Sequence, residues 1–140
     1  MEFRIHGSVD IRREGQMLIA DIGGPWNAEL IDHYRLCMSR PVREVSADGG
    51  WGLILVIHGA ALCPPDALEG IRRGVIEHAE KWQRRCTSYV IAPDVAGYHV
   101  MDRLWRSLYA GVMPLEIFET LDAAQVWTAR QLELADGLAG

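Results

Sequence analysis

Residue types that could act together on a substrate gather between Trp51 and Arg73, in WGLILVIHGAALCPPDALEGIRR. His58 and Cys63 flank one short loop there. A base beside a thiol is the minimal pair for nucleophilic sulfur chemistry, but it needs hydrogen-bond contact and a lowered thiol pKa. The spacing brings the two near one another without orienting them. No oxyanion donor or third orienting group can be picked out. The competing reading is a strand-end histidine and a packed cysteine, so no catalytic residue is assigned and the chain is expected not to be an enzyme. Asp66 closes the same loop. Asp66 and Glu69 have capping-box spacing, and Asp66 could also hold a fixed negative charge.

Trp26-Asn27 forms a second cluster, in Gly23-Gly24-Pro25-Trp26-Asn27. Core packing alone accounts poorly for an aromatic on a loop, and loops carry binding residues. Trp26, Asn27, His58, Cys63 and Asp66 are therefore the candidate partner- or ligand-binding residues. A metal site needs several His, Cys or carboxylate groups converging, and His6, His33, His58, His78 and His99 show no such spacing. Neither a Gly-x-Gly-x-x-Gly nor a phosphate-binding Gly-Lys-Ser/Thr loop is present. No metal and no cofactor is expected. Arg12-Arg13 and Arg84-Arg85 read as solvated ends of elements.

These residues need elements to hold them. Residues 2–12 alternate polar and apolar, the mark of a half-exposed strand near a sheet edge. Glu14-Gly15 signals a turn, and 17–22 completes a hairpin. Asn27 is a suitable N-cap for a helix carrying Leu30, Ile31, Tyr34 and Met38 on one face, which Pro41 ends or kinks. Residues 53–57 are apolar throughout, as in a parallel strand covered on both faces. In open α/β sheets ligands bind beyond the carboxyl ends of such strands, which makes the following loop the expected functional address. A helix from Pro64-Pro65-Asp66 carries Leu68, Ile71, Val75, Ala79 and Trp82. A strand at 87–92 follows. Next comes a helix with Val100, Met101, Leu104, Trp105 and Leu108 that Gly111 ends. A short strand at 115–118 leads to a last helix capped by Thr120 or Asp122, fraying from Ala135. The expected fold is α/β: a single mixed β-sheet of about five strands with an N-terminal hairpin, central parallel strands and about four flanking helices, in one domain over 1–140.

This order resembles the STAS and SpoIIAA-like fold, partly shared by SEC14-like lipid-binding domains. The resemblance covers nearly the whole chain. It is carried by the hairpin before Gly-Pro-Trp-Asn, by the buried strand running into a loop and long helix, and by the closing Ile117–Trp127 segment. It implies a non-enzymatic regulatory or protein-interaction module. In anti-sigma-factor antagonists of this fold a kinase phosphorylates a serine where that loop meets the helix, and the added charge breaks binding. Here the matching stretch, Ala60 to Asp66, holds no Ser or Thr. SEC14-like kinship implies the alternative of a small apolar-ligand carrier or sensor, to which Met101, Trp105, Tyr109 and Met113 would contribute.

Bulk properties narrow the partners. The 140 residues carry a net charge of −5, which argues against a nucleic-acid footprint or a polybasic membrane patch. No apolar run reaches the ~18 residues of a membrane span. The N-terminal alternation is unlike the apolar core of a signal peptide, and Cys37, Cys63 and Cys86 read as reduced, mostly buried thiols. A cytoplasmic protein is expected, with a protein partner or a small apolar ligand. The first strand's edge either pairs in a homodimer or is protected by its polar residues. Core packing is the favoured reading of the five tryptophans, with a pocket or interface as its rival.

Overall fold

A computed structural model describes the backbone of residues 8–139 and the side chains of 8–136. Its elements are β1 (Ser8–Glu14), β2 (Met17–Gly23), α1 (Ala28–Ala47), β3 (Trp51–His58), α2 (Pro65–Lys81), β4 (Arg84–Ile91), α3 (Tyr98–Tyr109), β5 (Leu115–Phe118) and α4 (Leu121–Ala139). The strands lie in the order β1-β2-β3-β4-β5. β1 is antiparallel to β2, and every later neighbour is parallel. This is the mixed five-strand α/β sheet with a leading hairpin that the sequence predicts. Residues 2–7 of the expected first strand lie outside the described residues.

Alternation along the strands builds two unequal cores. Leu18, Ala20, Ile22, Leu53, Leu55, Ile57, Tyr89 and Ile91 face α1, α2 and α3 in one large cluster. Ile19, Ile54 and Val90 face the other way, toward Ala124 of α4. β3 is central and covered on both faces, which is why its residues are apolar without alternation. The hairpin turns at Gly15, whose φ of +60° suits the first central residue of a two-residue loop. Gln16 then donates to the carbonyls of Val45, Gly49 and Gly50, tying that turn to the end of α1.

Asn27 caps α1, its Oδ1 accepting from the Leu30 amide at 2.8 Å. Pro41 does not end that helix, which continues for another turn and more to Ala47; a missing N–H costs one ladder bond, and the apolar face continues through Val42 and Val45. The capping box at Asp66 is not formed. Pro64 occupies the cap position with no side-chain bond, and Asp66 sits in the first turn with Oδ1 accepting from the next amide, Ala67, at 2.9 Å. Thr120 Oγ1 takes the Ala123 amide at 3.2 Å at the start of α4. That helix runs on to Ala139, past the expected fraying point. Val100 and Leu104, assigned by spacing to the apolar face of α3, are exposed. No helix among the described residues is long and apolar enough to cross a membrane.

Candidate functional site

The five candidate residues lie at the ends of β2 and β3 and in the turns from them into α1 and α2. Trp26 is turned inward, 2 % exposed, rather than displayed on its loop. Its Nε1 is buried without a hydrogen-bond partner among the described residues. Asn27 is engaged as the α1 cap. His58 is exposed, with Nε2 2.8 Å from Asp21 Oδ1. Cys63 is buried; burial, and secondarily the Asp66 carboxylate, push its thiol up to about 12. A thiol held there is almost wholly protonated at neutral pH, the reverse of an activated nucleophile. His58 and Cys63 share no hydrogen bond among the described residues.

The loop after β3 is also knitted shut. The Ala61 amide donates to Ala96 at 2.7 Å, the Gly24 amide donates to His58 at 3.2 Å, and Leu62 lies against Gly97. The topology supplies the reason. Ligand crevices form where strand order reverses, and here β2 to β5 follow one another without reversal.

A cavity of about 520 Å³ lies along the seam between α1 and α2. α1 supplies Ile31, Tyr34, Met38 and Val42; α2 supplies Gly70, Ile71, Gly74, Val75 and His78; Trp26, Leu55, Trp82, Arg84 and Tyr109 complete the wall. Charged residues Asp32, Arg35, Arg43 and Glu77 also border it. Two glycines one turn apart thin the facing side of α2. A Cβ on Gly70 would meet Ile31 at 3.1 Å, whereas one on Gly74 would point into open space. α2 buries only Ala67 and Val75 fully; it meets α1 closely at Gly70 and leaves open space at Gly74. Of the pocket residues expected from α3, only Tyr109 lines this cavity; Met101 and Trp105 are core.

Arg84 is the unexpected member. It is 4 % exposed, not the solvated element end that Arg84-Arg85 suggests. Trp51 pairs with Arg84 and Gly52 with Cys86, so Arg85 is an extra residue in β4. Such a bulge re-aims its neighbours and places Arg84 with Thr87 and Tyr89 on the groove face. Its Nε donates to Thr87 Oγ1 at 2.9 Å, Nη2 to the Tyr109 hydroxyl at 3.1 Å, and Nη1 to His78 Nδ1 at 3.3 Å. The Tyr109 hydroxyl is in turn 3.0 Å from that of Tyr89. Burial, then Arg84 and Arg35, bring His78 down to about 3, so it is neutral and accepts at Nδ1. Burial raises the Tyr34 and Tyr89 hydroxyls above their ordinary range, with Arg84 acting in the opposite sense on both. None of the ion pairs among the described residues uses Arg84. The three thiols are free, and no metal-binding cluster occurs among the described residues.

Comparison with known proteins gives a fold and no activity. No protein-family pattern and no curated protein sequence matches the chain. Among solved structures, it is similar to an uncharacterised protein of the DUF3478 family from Shewanella loihica PV-4, described as having a SpoIIAA-like fold. The two share 13 % identity and a TM-score of 0.55 over 91 % of this chain and 98 % of the other. The chain therefore has the SpoIIAA-like, STAS-type α/β fold that its element order resembles.

Proposed function

We propose that this STAS-like module binds a small apolar ligand in the α1–α2 groove and does so without chemistry. The observation that carries this reading is the groove itself. Its volume of about 520 Å³ falls within the roughly 300–1,000 Å³ of small-molecule sites, and its wall is mostly apolar with a few polar groups. The thiol of Cys63, held up at about 12 and unpaired with His58, supports binding over catalysis. The direct test is native mass spectrometry of freshly purified protein, with displacement of a fluorescent hydrophobe from wild type and from Gly74→Leu. A bound small molecule or a saturable dye site, lost in Gly74→Leu, is the expected result. Apo mass alone, with no dye binding, removes the reading.

A second reading, a regulatory protein-interaction module, is favoured by one observation. Leu62, Val100 and Leu104 are 53, 66 and 43 % exposed, on the loop and helix at the carboxyl end of the sheet. With no Ser or Thr from Ala60 to Asp66, such docking would not be switched by phosphorylation in that loop. Pulldown from native lysate with wild type and a Leu62→Asp/Val100→Asp variant tests it; identical captures would remove it.

A further inference from the structure

A buried charge without a counter-charge is a costly feature. Buried charges in folded proteins are as a rule paired and hydrogen-bonded, and an unpaired one is destabilising. Arg84 is nearly sequestered, 4 % exposed, yet borders an open cavity. Its immediate partners, Thr87, Tyr109 and His78, are all neutral. A guanidinium has five N–H donors. Three are used, which leaves one on Nη1 and one on Nη2 without a partner among the described residues. Planar paired donors of this kind match the two oxygens of a carboxylate.

Resting on the groove reading above, we propose that Arg84 is an anion receptor. On this view the ligand is an amphiphile, with one terminal carboxylate at Arg84 and an alkyl or similarly apolar body along Ile31, Met38, Ile71 and Val75. A single buried cation calls for a single negative charge. The apolar wall beyond it calls for a tail. The hydroxyl of Tyr109, already in the Arg84 network, holds the guanidinium plane in place. A phosphate monoester would satisfy the same fork but would bring a second charge, and the other cations bordering the groove, Arg35 and Arg43, are exposed rather than buried beside Arg84.

Calorimetric titration at neutral pH with decanoate, decanol and decyl phosphate separates these cases. Charge-assisted hydrogen bonds contribute about 10- to 150-fold in affinity, so decanoate should bind wild type tighter than decanol by that factor. Across octanoate, decanoate and dodecanoate, affinity should rise about fourfold per added methylene while the groove has room. Arg84→Met should erase the preference for carboxylate over alcohol. If Arg84→Met does not fold, the wild-type series still decides. Equal binding of decanoate and decanol overturns the role of Arg84 and leaves the groove reading standing. Tighter binding of decyl phosphate than decanoate overturns the carboxylate. No binding by any of the three, together with no dye site, overturns the groove reading and this inference with it.

Discussion

Arg84 is held at a cost that a residue selected only for packing would not impose. Removing one partner of a buried ion pair destabilises because a charge is stranded; Arg84 is buried and has no ion-pair partner among the described residues. Replacing it with a flexible apolar side chain should therefore leave the unliganded fold at least as stable, despite the lost bonds to Thr87, Tyr109 and His78. Thermal unfolding of apo Arg84→Met is expected to show a Tm equal to or above wild type. A clear drop would mean that those three bonds outweigh the stranded charge. His78 gives a second check beside it. Its value of about 3 in the folded chain lies below the ordinary ~6.5 of an unfolded histidine, so the unfolded state takes up the proton first. The contribution is whole above pH ~6.5 and is lost as pH falls from there toward 3, with a slope of at most ~1.4 kcal/mol per pH unit. Denaturant unfolding between pH 7 and 5 should show that slope in wild type and a flatter one in His78→Gln. Neither residue stands out in the sequence. Period-two counting from Thr87 and Tyr89 puts Arg84 on the opposite, α4 face, and only the bulge at Arg85 returns it to the groove.

At the scale of elements, α2 is where sequence and structure part most usefully. Its apolar positions were legible: Leu68, Ile71, Val75, Ala79 and Trp82 follow helical spacing, yet only Val75 of these is fully buried. Spacing tells which side of a helix faces inward but not how closely the neighbour approaches, which here is close at Gly70 and open at Gly74. Glycine inside a helix costs roughly 0.8–1 kcal/mol relative to alanine. Gly74→Ala should recover most of this, since its Cβ enters open space, and should raise Tm by roughly 2–4 °C. Gly70→Ala should gain less, because its Cβ meets Ile31 at 3.1 Å. Equal gains in differential scanning calorimetry would contradict the asymmetry of the seam. The start of α1 was readable outright: Asn27 caps it as its type suggests, and Asn27→Ala should cost ~1 kcal/mol in denaturant unfolding. Trp26, one residue earlier, was not. Loop position suggests display, but the indole is buried in the main core cluster and in the wall of the groove, and only three-dimensional packing reveals that.

For the whole molecule, strand order decides which face of the sheet carries the helix seams. β2 to β5 march in sequence, so α1, α2 and α3 lie side by side on one face while α4 alone covers the other. At the carboxyl ends the loop after β3 is tied to its neighbours by the Ala61–Ala96 and Gly24–His58 backbone bonds. The face with three helices has seams, and the seam lined by Gly70 and Gly74 is open. On the proposed reading a ligand seated there would touch both helices and the sheet beneath, and its binding energy would couple directly to global unfolding. A ligand that binds only the folded chain adds about 2.7 kcal/mol at a hundredfold excess over Kd. For a domain of this size that is a rise of roughly 5–10 °C in Tm. Decanoate is expected to produce it in wild type, with slower amide exchange through α1 and α2 and little change in α4, which packs on the far face. Gly74→Leu should unfold cooperatively and show neither effect, because the added side chain occupies the seam. A Tm rise of the same size in Gly74→Leu, or protection confined to the loop from Gly59 to Asp66, would move the site back to the carboxyl ends of the strands. In that case the open seam between α1 and α2 would be a packing defect and Arg84 a stranded charge with no ligand to meet it.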